Sequence, residues 1–331
     1  MTNGFQIGSV VVAPNLVLAP MSGITDSSYR SLVKEQNPGA VGLLVTELIS
    51  VEALTRHNLR TQNMLRYREA EHPLSIQLFG ADPERMGEAA RMVQDLGADI
   101  VDVNCGCPAP KVTKRGGGAE LMRQTTVLQD ILRALRGALT IPFTVKLRAG
   151  WDEGSRNAVD VARMAEGEGV AAIAVHGRTR QQLYTGNPDW ELVGRVKRAV
   201  RVPVIGSGDV TTAAGALARF AETGVDGIMV GRATLSHPWI FREIDHLQRG
   251  LPVPVVTPTE RFGAVDRLIA RLEEELPATA ALGRARGLAC RMVKHLRGGA
   301  ELRAALTQAP STTAMRELLA AAGTLVYESA A

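Results

Sequence analysis

This sequence predicts a (β/α)8 barrel followed by a small all-helical domain, and three observations carry that expectation. Short apolar runs recur eight times, at residues 16–19, 42–46, 74–78, 100–103, 143–147, 172–175, 202–205 and 227–230. Most are almost continuously apolar, the pattern of strands buried on both faces of a parallel sheet. Helical stretches separate them, and eight strand–helix repeats describe a closed barrel rather than an open sheet. Beyond Arg249 the strand pattern stops and only helical periodicity remains.

Taken in order, residues 5–12 read as a small hairpin able to cap the bottom of the barrel. Asp82-Pro83-Glu84 is an N-cap with proline at the first helical position. Met86, Ala89, Ala90, Val93 and Leu96 then form a helical stripe that Gly97 closes. Residues 160–169 and 211–224 repeat the scheme. The barrel is expected over residues 1–249, with a proline-stiffened linker at 250–256. Thr257-Pro258-Thr259-Glu260 has capping-box spacing and opens a helical domain over 257–331. Breaks at Pro277, Gly283, Gly298-Gly299 and Pro310 divide it into about four helices.

Composition narrows the function classes. The chain has 331 residues, is 45% hydrophobic and carries a net charge of +4, a mild basic lean that suits a polyanionic partner. The three cysteines, Cys105, Cys107 and Cys290, with no secretory leader, argue against a disulfide scaffold and for the cytoplasm. No apolar run reaches the roughly 20 residues of a membrane span. Nothing calls for an obligate protein partner, and no cysteine or histidine spacing suggests a metal.

Barrel enzymes build their sites at the C-terminal ends of the strands. Those ends read Ala19-Pro20-Met21, Gln77, Asn104-Cys105-Gly106-Cys107-Pro108, Lys146-Leu147-Arg148, His176-Gly177-Arg178, Gly206-Ser207-Gly208-Asp209 and Gly231-Arg232. Glycine turns after the last two strands expose backbone N–H groups, and Arg232 adds charge, as a cradle for one phosphate requires. No dinucleotide or Walker fingerprint is present, which favours a mononucleotide. Lys146 and His176 end neighbouring strands and face one ligand, where a cation stabilises a reduced flavin. Gln77 suits the ring's hydrogen-bonding edge. Cys107 is a mostly protonated thiol in reach of that region, fit to donate a proton. Each residue also has a bland reading, as a tight turn, a structural ion pair or a packed thiol; these alternatives stay open at the level of the residues alone.

Taken together, these segments resemble the tRNA-dihydrouridine synthases over nearly the whole chain. The match rests on residues 19–26 (APMSGITD), 75–80, 104–112 (NCGCPAPKV), 145–148, 175–180 (VHGRTR) and 229–232. Residues 184–186, Asp189-Trp190 and 237–241 add to it. The pattern is most similar to the bacterial B-type branch. The resemblance implies FMN bound by Ala19, Pro20, Met21, Gln77, Lys146, His176, Ser207, Gly208, Asp209, Gly231 and Arg232. It also implies Cys107 as proton donor, NADPH as reductant and a helical domain that grips tRNA. Two departures stand out: Ser207 replaces the family's usual Asn, and Gly116-Gly117-Gly118 makes the loop after Cys107 unusually glycine-rich.

Chemistry then orders the steps. Hydride should add at C6 of the uracil, charge should develop on C5 and O4, and Cys107 should protonate C5. Asn104 and Arg178 are the expected uracil contacts. Arg284, Arg286, Arg291 and Lys294, with Arg297 and Arg303 nearby, are the expected grip on the RNA. A free-pyrimidine reductase of dihydroorotate type shares the barrel, FMN and chemistry but needs no basic tail. An RNA-binding protein on an inactive barrel is the third reading, and the intact Lys146, His176 and Cys107 set argues against it.

Overall fold

The computed structural model describes residues 3–294, 296 and 298–328, with side chains described as far as 323. A two-stranded antiparallel hairpin, β1 (Phe5–Ile7) and β2 (Val10–Val12), precedes the barrel. Eight parallel strands then close in chain order. They are β3 (Leu16–Leu18), β4 (Leu43–Ser50), β5 (Leu74–Phe79), β6 (Ile100–Cys105), β7 (Phe143–Arg148), β8 (Ala172–His176), β9 (Val204–Ser207) and β10 (Gly227–Val230), the last returning to pair with β3.

Side chains alternate between the two faces of each strand, so the wall separates two apolar clusters. Leu16, Leu18, Leu74, Ile76, Val101, Val103, Val145 and Val175 point outward and pack under the surrounding helices. Val17, Leu43, Val45, Ile100, Ala172, Ile205 and Met229 point inward. The hairpin seals this inner cluster from below, as expected: Ile7 and Val12 are fully buried in it. A Cβ on Gly227 would lie 2.8 Å from Phe5 Cε1, which is why that strand opens on glycine.

The sequence-based boundaries need small corrections. The strand expected at 202–205 begins at Val204, after Pro203, and β4 runs on to Ser50 past a register shift between Val45 and Leu48. Asp82 caps the helix Pro83–Asp95 by accepting from the Glu84 and Arg85 amides, but Leu96 lies past its end and is 45% exposed. Gly283 breaks nothing: the helix Ala278–Met292 runs through it, because its face is open and a Cβ there would meet no neighbour. The other helices of the C-terminal region are Pro258–Glu275, Gly299–Gln308 and Thr312–Glu328.

Residues 251–256 form an irregular connection with Val255 84% exposed, yet packing runs on beneath it. Trp239, Ile240, Phe262, Val265, Leu268 and Leu272 share one apolar cluster with the outer wall. Arg261 donates to the carbonyls of Ser236 (3.0 Å) and Met292 (2.8 Å) while its guanidinium stacks 4.7 Å over the Trp239 ring. Ion pairs Arg242–Glu260 (2.6 Å) and Arg68–Glu275 (2.8 Å) tie the same seam.

The loop and helix that follow β3 hang on one buried ion pair. Arg30 Nε donates to Glu71 (2.6 Å), and the remaining guanidinium nitrogens donate to the Thr25 and Arg66 carbonyls. Ser27, Ser31 and the Arg68 amide complete the Glu71 carboxylate. Removing one partner of such a pair strands the other without water. Arg30→Met should therefore cost about 3–5 kcal/mol in urea unfolding; a loss below about 1 kcal/mol would show that Glu71 finds solvent and that the pair is not an anchor.

Candidate active site

The strand ends converge on a cavity of about 550 Å³ at the C-terminal mouth. Ala19, Pro20, Met21, Lys146, His176, Ser207, Gly208, Asp209, Gly231 and Arg232 all line it, as the sequence led us to expect; Gln77 does not. The turns after β9 and β10 form part of its wall. There Gly208 (φ 136°) adopts a backbone closed to other residues, and a Cβ would lie 2.7 Å from Pro188 and 3.2 Å from His176. A Cβ on Gly231 would lie 3.2 Å from Ala19. Neighbouring side chains of the barrel itself crowd both turns, so each requires glycine. The Asp209 carboxylate, however, is spent on Arg178 and on Arg232 (2.5 Å), so only its backbone suits an anion.

Deeper in the mouth the electrostatics are set by burial. Lys146 is half-buried at the cavity wall, and desolvation together with the Arg148 charge lowers its pKa to about 8, against the pull of Asp102 and Cys107. It stays largely cationic at neutral pH. His176 is pushed down to about 2, first by burial and then by the charges of Lys146, Arg148, Arg178 and Arg232. It is therefore a neutral imidazole. Arg178 Nη1 lies 3.5 Å from His176 Nε2, which assigns the ring proton to Nδ1.

Cys107 sits half-buried on the loop after β6, outside the cavity wall proper. Its backbone N–H donates to Asn104 Oδ1 (2.8 Å), and its carbonyl accepts from the Ala119 N–H (3.0 Å). The glycine run has a clear purpose here: Gly118 (φ 62°) turns the loop back so tightly that a Cβ would lie 2.6 Å from the Cys107 oxygen. Cys105 points the other way, into the outer core, and burial raises its thiol well above the ordinary range.

A barrel with a cation, a thiol and two glycine turns at its mouth fits several flavin enzymes, and similarity to known proteins decides among them. The Dihydrouridine synthase (Dus) family model matches residues 17–325. The chain belongs to this family. tRNA-dihydrouridine synthase B of Pseudomonas putida is 42% identical over 261 residues, 78% of this chain and 76% of that protein. The protein of the same name from Pseudomonas aeruginosa is 40% identical over 244 residues, 74% of this chain and 73% of that one. Among solved structures, the 6-hydroxypseudooxynicotine amine oxidase of Pseudomonas geniculata superposes with a TM-score of 0.57 at 15% identity. It covers 80% of this chain, which spans about half (52%) of the oxidase, and the likeness is one of fold.

Within this dihydrouridine synthase fold, several expected ligand contacts turn out to be engaged by the protein itself. Gln77 and Asn104 bond to each other (2.7 Å) inside the wall. Arg178 is buried, with all five donors turned to Thr185, Gly186, Asp209 and His176. In the helical region Arg284 pairs with Asp26, and Arg286 donates to the Ala309 carbonyl (2.5 Å). Arg291 and Lys294 are exposed, and Arg297 lies outside the described residues. A helical wheel groups these cations but does not reveal which side docks on the barrel, and Arg284 and Arg286 face the packed side.

Tyr184 is a cavity-lining residue that strand-end reasoning missed. It lines the cavity from the long loop after β8, its ring 4.3 Å from the Arg232 guanidinium and 5.7 Å from that of Arg148. No strand ends there, so only its place eight residues past His176 within the family motif marked it.

The neutral state of His176 has a measurable consequence. Because its folded pKa lies below the unfolded value of about 6.5, only the unfolded chain takes up this proton as pH falls, and stability is lost below that point. In NMR titration the His176 ring should keep its neutral shifts from pH 8 down to pH 5. A midpoint near 6.5 would contradict the burial and charge environment described.

Proposed function

We propose that this chain reduces uridine in tRNA to 5,6-dihydrouridine, using FMN at the barrel mouth and NADPH as reductant, with Cys107 as the proton donor. Membership of the family over residues 17–325 supports the reaction. The residue roles rest chiefly on one observation: a half-buried cation, Lys146 near the end of β7, and a half-buried thiol, Cys107 just past the end of β6, stand on adjacent strands at the same mouth.

The cavity suits a flavin with a single phosphate. The glycine turns at Gly208 and Gly231, with Arg232, would hold the phosphate, and Ala19, Pro20 and Met21 would supply an apolar flank. Lys146 would offset negative charge on the ring, and His176 would offer a neutral hydrogen bond. When bound, the flavin supplies hydride to uracil C6.

The chain's residues do the rest. Addition at C6 leaves negative charge on C5 and O4, because the C5=C6 bond is conjugated with the C4 carbonyl. The Cys107 thiol gives its proton to C5, and solvent restores it. Arg178 and Asn104 act from behind, ordering the cradle and the Cys107 loop. A uridine within folded tRNA has to leave its stack to enter this mouth. Arg291 and Lys294 offer exposed cations for the surrounding phosphates. The three cysteines are all free, and we place the protein in the cytoplasm. Among the described residues no helix is long and apolar enough to cross a membrane.

Cys107→Ala should abolish dihydrouridine formation, by about 10²–10⁴-fold, while flavin content and NADPH oxidation by oxygen are retained. Cys105→Ala, at a residue in the outer core, should be far milder. Wild-type dihydrouridine yield from Cys107→Ala, scored by nucleoside mass spectrometry, would remove the thiol from the mechanism.

A further inference from the structure

Four buried polar side chains inside the barrel form one continuous hydrogen-bonded chain that ends on the Cys107 loop. Thr144 Oγ1 donates to Asp102 Oδ1 (2.5 Å), and Gln77 Nε2 donates to Asp102 Oδ2 (2.6 Å). Asn104 Nδ2 donates to Gln77 Oε1 (2.7 Å). Asn104 Oδ1 then accepts from the backbone N–H of Cys107 (2.8 Å) and of Gly106 (3.2 Å). All four side chains belong to residues at most 7% exposed. They share a layer for a simple reason: Gln77, Asp102 and Thr144 are register partners on β5, β6 and β7, and Asn104 lies two residues above Asp102 on the same face.

The ends of this chain differ in kind. The backbone amides of Gly106 and Cys107 only donate, and an ionised carboxylate only accepts. Between them each primary amide has to present nitrogen downward and oxygen upward, so one acceptor at the base sets the direction of every bond above it. We propose that Asp102 is a positioning residue: through Gln77 and Asn104 it holds the Cys107 turn in place, and it dictates which end of the Gln77 amide faces the barrel mouth. The inference rests on the reading of Cys107 as the proton donor, but the positioning itself does not depend on what the thiol does. It also explains why a carboxylate stands in a strand, Ile100–Cys105, that is otherwise apolar on its lower part.

The polarity of the chain can be tested by moving its carboxylate. Asn104→Asp alone places carboxyls on both sides of Gln77, so either one of its two bonds fails or one carboxyl has to take up a proton. Adding Asp102→Asn restores a donor below: the amide introduced there would give its N–H to Gln77 Oε1, and Gln77 would turn over to donate to the new carboxylate. Lys146 keeps a carboxylate within its surroundings in both variants, since Asn104 and Lys146 are register partners. The holoenzymes are compared by the rate at which iodoacetamide alkylates Cys107, followed by peptide mass spectrometry, and by Tm.

The proposal expects Asn104→Asp to alter Cys107 alkylation by about 5-fold or more from wild type, in the order of magnitude of one lost buried bond. The double variant should recover most of that change and have the higher Tm of the two. Rescue by a second substitution is something additive structural damage does not produce. A double variant no better than Asn104→Asp in either measurement, or an Asn104→Asp protein indistinguishable from wild type, overturns it. Cys107→Ala, assayed in parallel for dihydrouridine, reports separately on whether the thiol is the proton donor.

Discussion

Closure of eight parallel strands with a side-chain period of two is the constraint on which everything else here depends. It forces inward-facing residues into stacked layers, and each layer has its own chemistry. The lowest is apolar and sealed by Ile7 and Val12 of the hairpin. The next is polar, with Gln77, Asp102 and Thr144 at one level. Above it His176 and Ser207 end their strands at the cavity, with Lys146 two residues short of the end of β7. A shift of one residue in any strand would turn that strand's contribution into the outer core. Asn104 and Cys105 illustrate the point: one faces the barrel interior, and the other packs under the helices.

This layering explains the charge balance at the mouth. Burial first, and then four cations, Lys146, Arg148, Arg178 and Arg232, act on a single imidazole, and His176 stays neutral as a result. Two carboxylates keep the cluster tolerable, Asp102 beneath Lys146 and Asp209 between Arg178 and Arg232. A mouth that is positive without being crowded by mobile charge suits both an anionic cofactor tail and a polyanionic substrate. The helical region adds little exposed charge of its own at Arg284 and Arg286, because those side chains bind the barrel and the neighbouring helix. Its evident structural task is to hold on to the barrel through Arg261 and Trp239.

Much of this was legible in the sequence because buried parallel strands are almost continuously apolar, which makes them easy to count. All eight were located, and the polar residues that end them marked the cavity wall. Boundaries shifted where backbone detail intervened, as at Pro203 before β9 and at the register shift in β4. Gly283 passed for a break because a lone glycine signals both a turn and an undemanding exposed face. Orientation within the site was not legible. That Gln77 and Asn104 bond to each other and that Arg178 is fully engaged depends on three-dimensional neighbours no spacing reveals. The role of Asp102 did leave a trace, a charged residue in an apolar strand, but its partners lie on two other strands. Membership of the Dihydrouridine synthase family, carried by motifs such as residues 104–112 and 175–180, supplied the chemistry that the fold alone left open.

The central claim is that this mouth acts on uridine within tRNA rather than on a free pyrimidine. The most direct measurement incubates the purified flavin-loaded protein with an unmodified tRNA transcript and NADPH, and follows nucleosides by mass spectrometry after digestion. A uridine of the transcript should gain two hydrogens, while free uracil and uridine under the same conditions stay unreduced. Unchanged tRNA alongside reduction of the free base or nucleoside would contradict it.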